Sequence, residues 1–575
     1  MPASVRPRPA SALGLALLLA GGALPARVAC AEAISRVPAM STIARPAGET
    51  PAWWYADGAR AAQRAIAEAG GPARVRNVIV LLGDGMSFTT VAAAHIFVGQ
   101  RAGQDGESHR LSFERFPYTA LSRTYETDQQ TPDSAGTMTA IMTGVKTRAG
   151  FIGVDQTARR GDCASSRGAG LLTLLELAAR AGLATGAVTT TRITHATPAA
   201  TYGHGPERNW EVDADLPPEA IAAGCRDFAA QLADSAAAGG IDVALGGGRT
   251  EFMPAGAPDP QHEGLVGQRL DGRDLIAEWR RRPASATVWN ATQLAAVDPA
   301  RTRHLLGLFN PSHMAYDHDR RAQRIDEPDL AAMTRAAIRV LRQNRRGYVL
   351  MVEGGRIDHA LHAGNAYRAL DETRAFADAV QTAVDLAGPD TLIVVTADHG
   401  HTLTFAGYPK RGNDILGRVE GPTDSSDEEG AAGLARDALG RPYTTLGFYS
   451  GPGYTGADAH SPEGAKSFRT RWTAPRGIAG GRPDLTRVDT AAPDYLQEAT
   501  LPLKSETHGG EDVGIWARGP GAAAFHGEFE QNAIYHLIVQ QAPALRQALC
   551  RMSRCDAGGV PLHLPARGGA SVDVL

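Results

Sequence analysis

The chain has 575 residues, of which 43% are hydrophobic and 21% are charged, and its formal net charge is −4 at pH 7. The apolar fraction excludes an intrinsically disordered chain. The near balance of 58 basic and 62 acidic residues argues against specific nucleic-acid binding, which needs a basic surface for the phosphates. The length suits one large α/β domain with insertions, or several smaller domains.

The first 31 residues have the pattern of a secretory signal peptide. Arg6 and Arg8 precede an apolar run over residues 12–20, and small residues precede a cleavage site near Ala31. The run is too short to span a bilayer as a mature helix, and we find no later apolar run of that length. We therefore expect cleavage, export to the periplasm or the medium, and no transmembrane segment.

Cleavage would remove three arginines and no acidic residue, so the formal charge of the mature chain would be −7. Cys30 would leave with the signal, although a lipoprotein signal with an acylated Cys30 is an alternative. Four cysteines would remain, and an even number in an exported protein predicts two disulfides. Of the three possible pairings, the most local one joins Cys163 to Cys225 and Cys550 to Cys555.

Strand-like and helix-like segments alternate, which predicts an α/β fold with a central, mostly parallel sheet and helices on both faces. Continuous apolar runs predict central strands at 78–82, 348–352 and 392–396. Weaker patterns predict strands at 184–189, 242–245 and 513–517. Helices are predicted at 171–181, 330–343 and 366–386. The alternation is lost between residues 408 and 501, which we interpret as an insertion.

Acidic and imidazole side chains follow the three strongest strands. They are Asp84, Glu353, Asp358, Asp398 and His399. One aspartate after a strand is commonly a helix cap, but the carboxyl ends of parallel strands meet at one edge of the sheet. Crowded carboxylates repel each other unless cations neutralise them. The pattern therefore predicts a site for several metal ions.

The ligand types narrow the choice of metal. Asp358 and His362 are one helical turn apart and can bind one ion. Mixed nitrogen and oxygen ligands without thiolate suit zinc, and an oxygen-rich position suits magnesium. Two neighbouring divalent ions are a common arrangement for displacement at phosphorus.

A candidate nucleophile, Ser134, follows Pro132 and Asp133 and begins a stretch of small residues that is typical of a helix. A helix N-terminus favours a bound phosphate and an ionised hydroxyl. Taken alone, Ser134 would be an ordinary helix-capping residue.

Six sequence blocks together resemble the alkaline phosphatases. They occur in the order of that family within roughly residues 50–548: Gly83–Gly85, Asp133–Ala135, Thr191–Pro198, Glu353–His359, Thr396–His399 and Glu506–Gly510. The resemblance implies hydrolysis of phosphate monoesters through a phosphoserine intermediate on Ser134. It also implies that Arg208 binds two oxygens of the phosphate, which suits the forked guanidinium.

The resemblance further implies two zinc ions and one magnesium ion in each subunit. The first zinc ion would be held by Asp358, His362 and His508. The second would be held by Asp84, Asp398 and His399. The magnesium ion would be held by Asp84, His195, Thr197 and Glu353.

Histidine at both His195 and His359 resembles the animal-type members of the family. His359 would lie near the phosphate, with a nearby carboxylate as its alternative partner. Animal-type members also have a calcium site, but Gln261 and Asn310 replace two of the expected acids and Asp326 remains. We therefore expect no functional calcium site.

The resemblance also suggests a division of the chain and a homodimer. The segments are a signal peptide (1–31), an N-terminal arm or helix (32–73), a catalytic α/β domain (74–407 and 502–548), a crown-like insertion (408–501) and a C-terminal tail (549–575). Two alternative functions remain open: a phosphodiesterase of the same superfamily, and an exported metal- or phosphate-binding protein without activity.

Overall fold

The computed structural model describes residues 48–422, 433–437, 439–454 and 482–565. The expected signal peptide at 1–31 lies outside the described residues. So do residues 423–432, 438 and 455–481 of the insertion and the last ten residues of the tail.

The strands, numbered in chain order, are β1 (Asn77–Gly83), β2 (Tyr118–Arg123), β3 (Ala184–Arg192), β4 (Val243–Gly247), β5 (Ser285–Val288), β6 (His304–Leu308), β7 (Tyr348–Gly354), β8 (Thr391–Thr396), β9 (Gly400–His401), β10 (Leu403–Phe405), β11 (Glu420–Gly421), β12 (Gly433–Leu434), β13 (Leu446–Gly451), β14 (Ala499–Pro502), β15 (His508–Gly509), β16 (Val513–Arg518) and β17 (Gly527–Glu530).

The helices are α1 (Pro51–Glu68), α2 (Phe88–Arg101), α3 (Ser134–Thr143), α4 (Leu174–Arg180), α5 (Ala196–Ala199), α6 (Pro218–Ala222), α7 (Phe228–Ala237), α8 (Leu275–Arg280), α9 (Ala291–Ala295), α10 (Asp317–Ala322), α11 (Leu330–Leu341), α12 (Arg356–His362), α13 (Ala366–Leu386), α14 (Ala533–Gln541) and α15 (Pro543–Arg551).

A ten-stranded sheet with the strand order β17-β2-β16-β8-β1-β7-β3-β4-β6-β5 forms the centre of the fold. Only β16 runs antiparallel to its neighbours in this sheet, β2 and β8. Along β1, Val78, Val80 and Leu82 face one hydrophobic core, whereas Ile79 and Leu81 face the other. Helices cover both faces, so the predicted α/β class is confirmed.

The order β8-β1-β7 places the three strands with the strongest apolar runs side by side. Their register aligns Leu82 of β1 with both Glu353 of β7 and Thr396 of β8. The carboxyl ends of these strands therefore lie together, as the sequence predicted, and the acidic residues after them share one edge of the sheet.

Most predicted elements are present, with small differences at their ends. Helix α13 has the predicted bounds, and β3, β4 and β16 extend the weaker predicted strands. Helix α4 begins three residues later than predicted because Thr173 and Glu176 form a capping box there. The short strands β2, β5, β6 and β17 were not predicted, since they lack a continuous apolar run.

The described part of the insertion contributes β13 and most of β14 to a three-stranded sheet with the order β10-β13-β14, and β10 lies just before the insertion. Strand β13 is antiparallel to β10 and parallel to β14. Buried side chains such as Phe448 and Leu446 attach this sheet to the hydrophobic core of the main fold. The insertion is therefore folded, at least where it is described.

Two disulfides join Cys163 to Cys225 and Cys550 to Cys555, with Cα–Cα distances of 5.9 and 4.9 Å. This is the most local of the three pairings that the sequence allows. Among the described residues, we find no helix with the length and apolarity that a membrane span requires.

Candidate active site

Ser134 is the first residue of α3, and Asp133 caps that helix by accepting a hydrogen bond from Gly136 N at 3.0 Å. The sequence had suggested Ser134 itself as a capping residue, but Asp133 takes that position. The Ser134 hydroxyl is thus left facing the site, 3.1 Å from His399 Nε2. Ser134 is 2% exposed, so the nucleophile candidate lies in a largely dry environment.

His362, His508 and Asp358 converge on one point. Asp358 Oδ1 lies 3.4 Å from His362 Nε2 and 3.3 Å from His508 Nε2, and the two Nε2 atoms are 3.0 Å apart. Each imidazole donates from Nδ1 to a backbone carbonyl, of Glu506 at 2.6 Å and of Pro132 at 2.7 Å. A carbonyl can only accept, so in the neutral rings both Nε2 atoms carry lone pairs that point at each other. A shared cation resolves this arrangement.

A second group consists of Asp84, Asp398 and His399. His399 Nε2 lies 3.6 Å from Asp84 Oδ1 and 3.3 Å from Asp398 Oδ2. Both oxygens of Asp84 and Oδ2 of Asp398 are buried and have no hydrogen-bond partner in the part of the chain that the structure describes. Such orphaned carboxylate oxygens are rare in folded proteins, and a metal ion is a sufficient explanation.

A third group shares Asp84 with the second and adds His195, Thr197 and Glu353. Glu353 Oε2 accepts hydrogen bonds from the hydroxyls of Thr189 and Thr191. Three further atoms are buried without a hydrogen-bond partner among the residues described: Glu353 Oε1, Thr197 Oγ1 and His195 Nδ1. This group is richer in oxygen than the other two, as a magnesium site would require.

The electrostatics of these carboxyl groups also favour bound cations. Burial raises the pKa of Asp398 to about 6 and that of Glu353 to about 7. Burial, together with the charges of Asp398, Asp358 and Glu353, raises the pKa of Asp84 well above its usual range. The residues present therefore fit a cluster of divalent ions, because such ions remove the repulsion between these groups.

Arg208 lies against this cluster. Its Nη1 donates to Asp133 Oδ2 at 2.9 Å, and its Nη2 is 3.4 Å from His195 Nε2. Although burial opposes ionisation, Arg208 and two backbone N–H groups lower the pKa of Asp133 to about 2. Arg208 is therefore anchored by one nitrogen, beside the residue that precedes Ser134.

His359 faces a guanidinium and two other imidazoles. Its Nδ1 accepts a hydrogen bond from Arg356 Nη1 at 2.7 Å, so the partner of this nitrogen is a guanidinium and not the carboxylate that was the alternative. The ring packs edge-on against His313 and His195, with centroid distances of 4.3 and 5.5 Å. His313 was not singled out in the sequence, where it stands alone in an irregular segment.

His401 and Glu506 are further members of the site, to which the sequence alone assigns no role. His401 Nε2 is 2.7 Å from Asp358 Oδ1, and its Nδ1 is 2.5 Å from Glu506 Oε2. Burial opposes protonation, but Glu506 and Asp358 raise the pKa of His401 to about 10. Each residue stands two positions from a predicted ligand, His399 or His508, so a signal for them was present.

The residues compared with a calcium site are engaged by protein groups. Gln261 Oε1 accepts from Arg249 Nη1 at 3.1 Å, and Asn310 Nδ2 donates to Glu327 Oε1 at 2.6 Å. Asp326 instead accepts from the Thr292 hydroxyl at 3.0 Å. Asp326 is the remaining acid that the sequence offers for this site, but the acid that contacts Asn310 is its neighbour Glu327.

The fold and the site together define an α/β protein in which a serine at a helix N-terminus adjoins a cluster of metal-type ligands. Comparison with known proteins agrees. The alkaline phosphatase family model matches residues 75–544. The chain therefore belongs to the alkaline phosphatase family, whose members depend on metal ions and hydrolyse phosphate monoesters.

Curated relatives include tissue-nonspecific alkaline phosphatases of three vertebrates. The rat protein is 41% identical over 80% of this chain and 83% of its own length. The chicken protein is 42% identical over 81% of this chain and 84% of its own. The human protein is 40% identical over 81% of this chain and 83% of its own.

Solved structures of bacterial alkaline phosphatases share the fold. The Thermus thermophilus enzyme aligns with a TM-score of 0.57 and 24% identity, over 84% of this chain and 96% of that chain. The enzyme of the Antarctic bacterium TAB5 aligns with a TM-score of 0.52 and 20% identity, over 82% and 98%.

Proposed function

We propose that this chain hydrolyses phosphate monoesters through a covalent intermediate on Ser134. The observation that carries the proposal is the 3.1 Å distance from Ser134 Oγ to His399 Nε2, inside a group that also contains Asp84 and Asp398. A serine used only for helix capping would have no reason to face these side chains. The position of Ser134 at the start of α3 adds backbone N–H groups that favour phosphate.

In the proposed reaction, Ser134 Oγ forms a bond to phosphorus as the bond to the alcohol oxygen breaks. Water then cleaves the serine–phosphate bond and releases inorganic phosphate. Arg208 would bind two phosphate oxygens through the guanidinium nitrogens that Asp133 does not occupy. The anchoring by Asp133 reduces the freedom that the guanidinium loses when substrate binds.

We assign the metal ligands by group. The proposed zinc ligands are Asp358, His362 and His508 for one ion, on the distances given above. For the other ion they are Asp84, Asp398 and His399. The proposed magnesium ligands are Asp84, His195, Thr197 and Glu353. When bound, the ions would neutralise the carboxylates and stabilise negative charge on the reacting oxygens.

His359 has a different proposed role, because its ring contacts a guanidinium and two imidazoles. Its ring is held by Arg356 and packs against His195. We propose that it lies close to the bound phosphate and limits the orientations that the substrate can take.

The test compares the hydrolysis of an aryl phosphate with that of a bis-aryl phosphate at alkaline pH. We expect the monoester to be the faster substrate, a chelator to abolish turnover, and Ser134→Ala to reduce it by several orders of magnitude. Faster turnover of the diester would favour a phosphodiesterase. Full activity of Ser134→Ala would refute the covalent mechanism, and no turnover of either ester would favour a binding protein.

Export and dimerisation are also proposals. The two disulfides support an oxidising compartment, which agrees with a signal peptide cleaved near Ala31. The strands in the described part of the insertion support a crown-like element at a dimer interface. Light scattering of the metal-loaded mature protein is expected to give the mass of two chains, and the mass of one chain would refute the dimer.

A further inference from the structure

A buried carboxyl group lies behind the nucleophile helix and has no place in the reaction described so far. Glu126 follows strand β2 and is 5% exposed. Its Oε1 accepts a hydrogen bond from the backbone N–H of Asp133 at 3.3 Å. Its Oε2 is buried without a hydrogen-bond partner among the described residues. A carboxyl group with one unpaired oxygen is costly to bury, so its position calls for an explanation.

The first turn of α3 is shaped around this carboxyl group. A Cβ atom on Gly136 would lie 2.1 Å from Glu126 Oε1 and 2.8 Å from its Cδ. No side chain of any kind could therefore occupy position 136 while Glu126 keeps its place. Glu126 thus packs directly on the turn that carries Ser134.

The polar groups of Asp133 have identified partners around it. Oδ1 accepts from Gly136 N at 3.0 Å, and Oδ2 accepts from Gly150 N at 3.0 Å and from Arg208 Nη1 at 2.9 Å. The backbone N–H, bound to Glu126, is the remaining donor. Glu126 therefore completes the set of bonds that determines where the Asp133 carboxylate, and with it Arg208, can lie.

We propose that Glu126 is a positioning residue for phosphate binding: it holds the backbone of Asp133 so that the Asp133 carboxylate keeps the Arg208 guanidinium in the orientation that receives the phosphate. The inference rests on the proposed role of Arg208. Glu126 itself touches neither Arg208 nor the metal-type ligands in the hydrogen bonds described above.

The charge states of Glu126 and Asp133 agree with the proposal that Asp133 binds Arg208 and Glu126 holds the backbone of Asp133. Burial and the adjacent Asp133 raise the pKa of Glu126 well above its usual range. Asp133 stays ionised because Arg208 compensates its burial. A neutral Glu126 accepts the N–H bond without competing with Asp133 for the guanidinium.

This charge state predicts which substitutions are tolerated. Glu126→Gln keeps the length of the side chain and a carbonyl oxygen for the Asp133 N–H. Glu126→Ala removes the acceptor, and Glu126→Asp withdraws it by one methylene group. Gln129→Ala changes an exposed side chain in the same loop and serves as the matched control.

The experiment measures the inhibition constant of inorganic phosphate, the KM and kcat for an aryl phosphate, and the metal content of each variant. We expect Glu126→Ala to raise the inhibition constant and KM about tenfold, with a smaller change in kcat and full metal content. Glu126→Gln should stay within about twofold of the wild type. If Glu126→Ala does not fold, Glu126→Asp carries the test, with the same direction expected.

The decisive comparison repeats the alanine substitution in an Arg208→Ala background. There Glu126→Ala should change the phosphate inhibition constant by no more than about twofold, because Glu126 influences phosphate binding through Arg208, which this background lacks. An effect of equal size in both backgrounds would overturn the inference, as would a Glu126→Gln variant as impaired as Glu126→Ala. A wild type without monoesterase activity would refute the proposed function instead, which keeps the two failures distinct.

Discussion

At the scale of single residues, the site is defined by lone pairs that lack protein donors. The Nδ1 atoms of His362 and His508 donate to backbone carbonyls, so both neutral rings present Nε2 to Asp358. Among the described residues, both oxygens of Asp84 and Oδ2 of Asp398 likewise lack donors. Without bound cations, these unpaired buried atoms would lower the free energy of unfolding. Metal binding and folding stability are therefore coupled in this protein.

His401 provides a test of that coupling. Because both of its nitrogens face carboxylates, it acts as a donor that orients Asp358 rather than as a ligand. We expect His401→Ala to weaken zinc binding about 10- to 100-fold, measured as zinc content after dialysis against a zinc buffer. His526→Ala, at an exposed histidine paired with Glu68, should retain the wild-type content. Equal zinc content in both variants would contradict this role.

The predicted site residues came from sequence blocks, and the residues that were missed show where that reasoning stops. Ser134 and Asp84 stand next to recognisable strand or helix ends. Glu126 acts through a contact with the backbone of Asp133, seven residues away along the chain, and His313 meets His359 only through tertiary packing. No local pattern encodes such contacts.

At the scale of elements, α3 is a buried helix whose first residue, Ser134, must still be reached by the phosphate group of the substrate. All ten of its residues are buried, and most are small, which allows close packing of the first turn. Gly136 is the strictest position, because the Glu126 carboxyl group occupies the space of its missing side chain.

Gly136→Ala should therefore destabilise the protein by about 1–3 kcal/mol through overpacking. The measurement is the free energy of unfolding in denaturant, at constant metal concentration. Gly388→Ala is the control, because Gly388 is exposed and the only neighbour of an added Cβ is Asp390 Oδ1 at 3.1 Å. Equal stabilities of the two variants would show that Glu126 moves freely and would contradict the described packing.

The central strands were predictable and the outer ones were not, for a physical reason. Strands β1, β7 and β8 are buried on both faces and have continuous apolar runs. Strand β2 alternates between exposed and buried residues, and β5 is only partly buried. Outer strands gain their stability from pairing with neighbours, which a local pattern does not record.

At the scale of the whole molecule, the strand order accounts for the location of the site. Since β8, β1 and β7 are adjacent and parallel, ligands from distant parts of the chain meet at one edge. The register of β9 with β15, which pairs His401 with His508, then adds the last segment of the fold to the site. The sequence predicted the shared edge but not this pairing, because both strands have only two residues.

The disulfides act on the whole chain through the unfolded state. Cys163–Cys225 spans 62 residues and Cys550–Cys555 spans five. Replacing the first pair by serines should lower the free energy of unfolding by about 4 kcal/mol, and replacing the second pair by about 2 kcal/mol. Denaturant unfolding of the two variants, each with one cysteine pair replaced by serines, shows which replacement lowers the free energy of unfolding more. The reverse order would mean that local strain or residual structure, not loop length, dominates.

The central claim is that Ser134 carries the phosphoryl group during hydrolysis of a monoester. It is tested most directly by incubating the metal-loaded protein with an aryl phosphate, quenching in acid, and measuring the masses of its proteolytic peptides. The account predicts one added phosphoryl group on the peptide that contains Ser134, and none in Ser134→Ala. Active protein that gains no such mass on that peptide, or gains it elsewhere, would contradict the account.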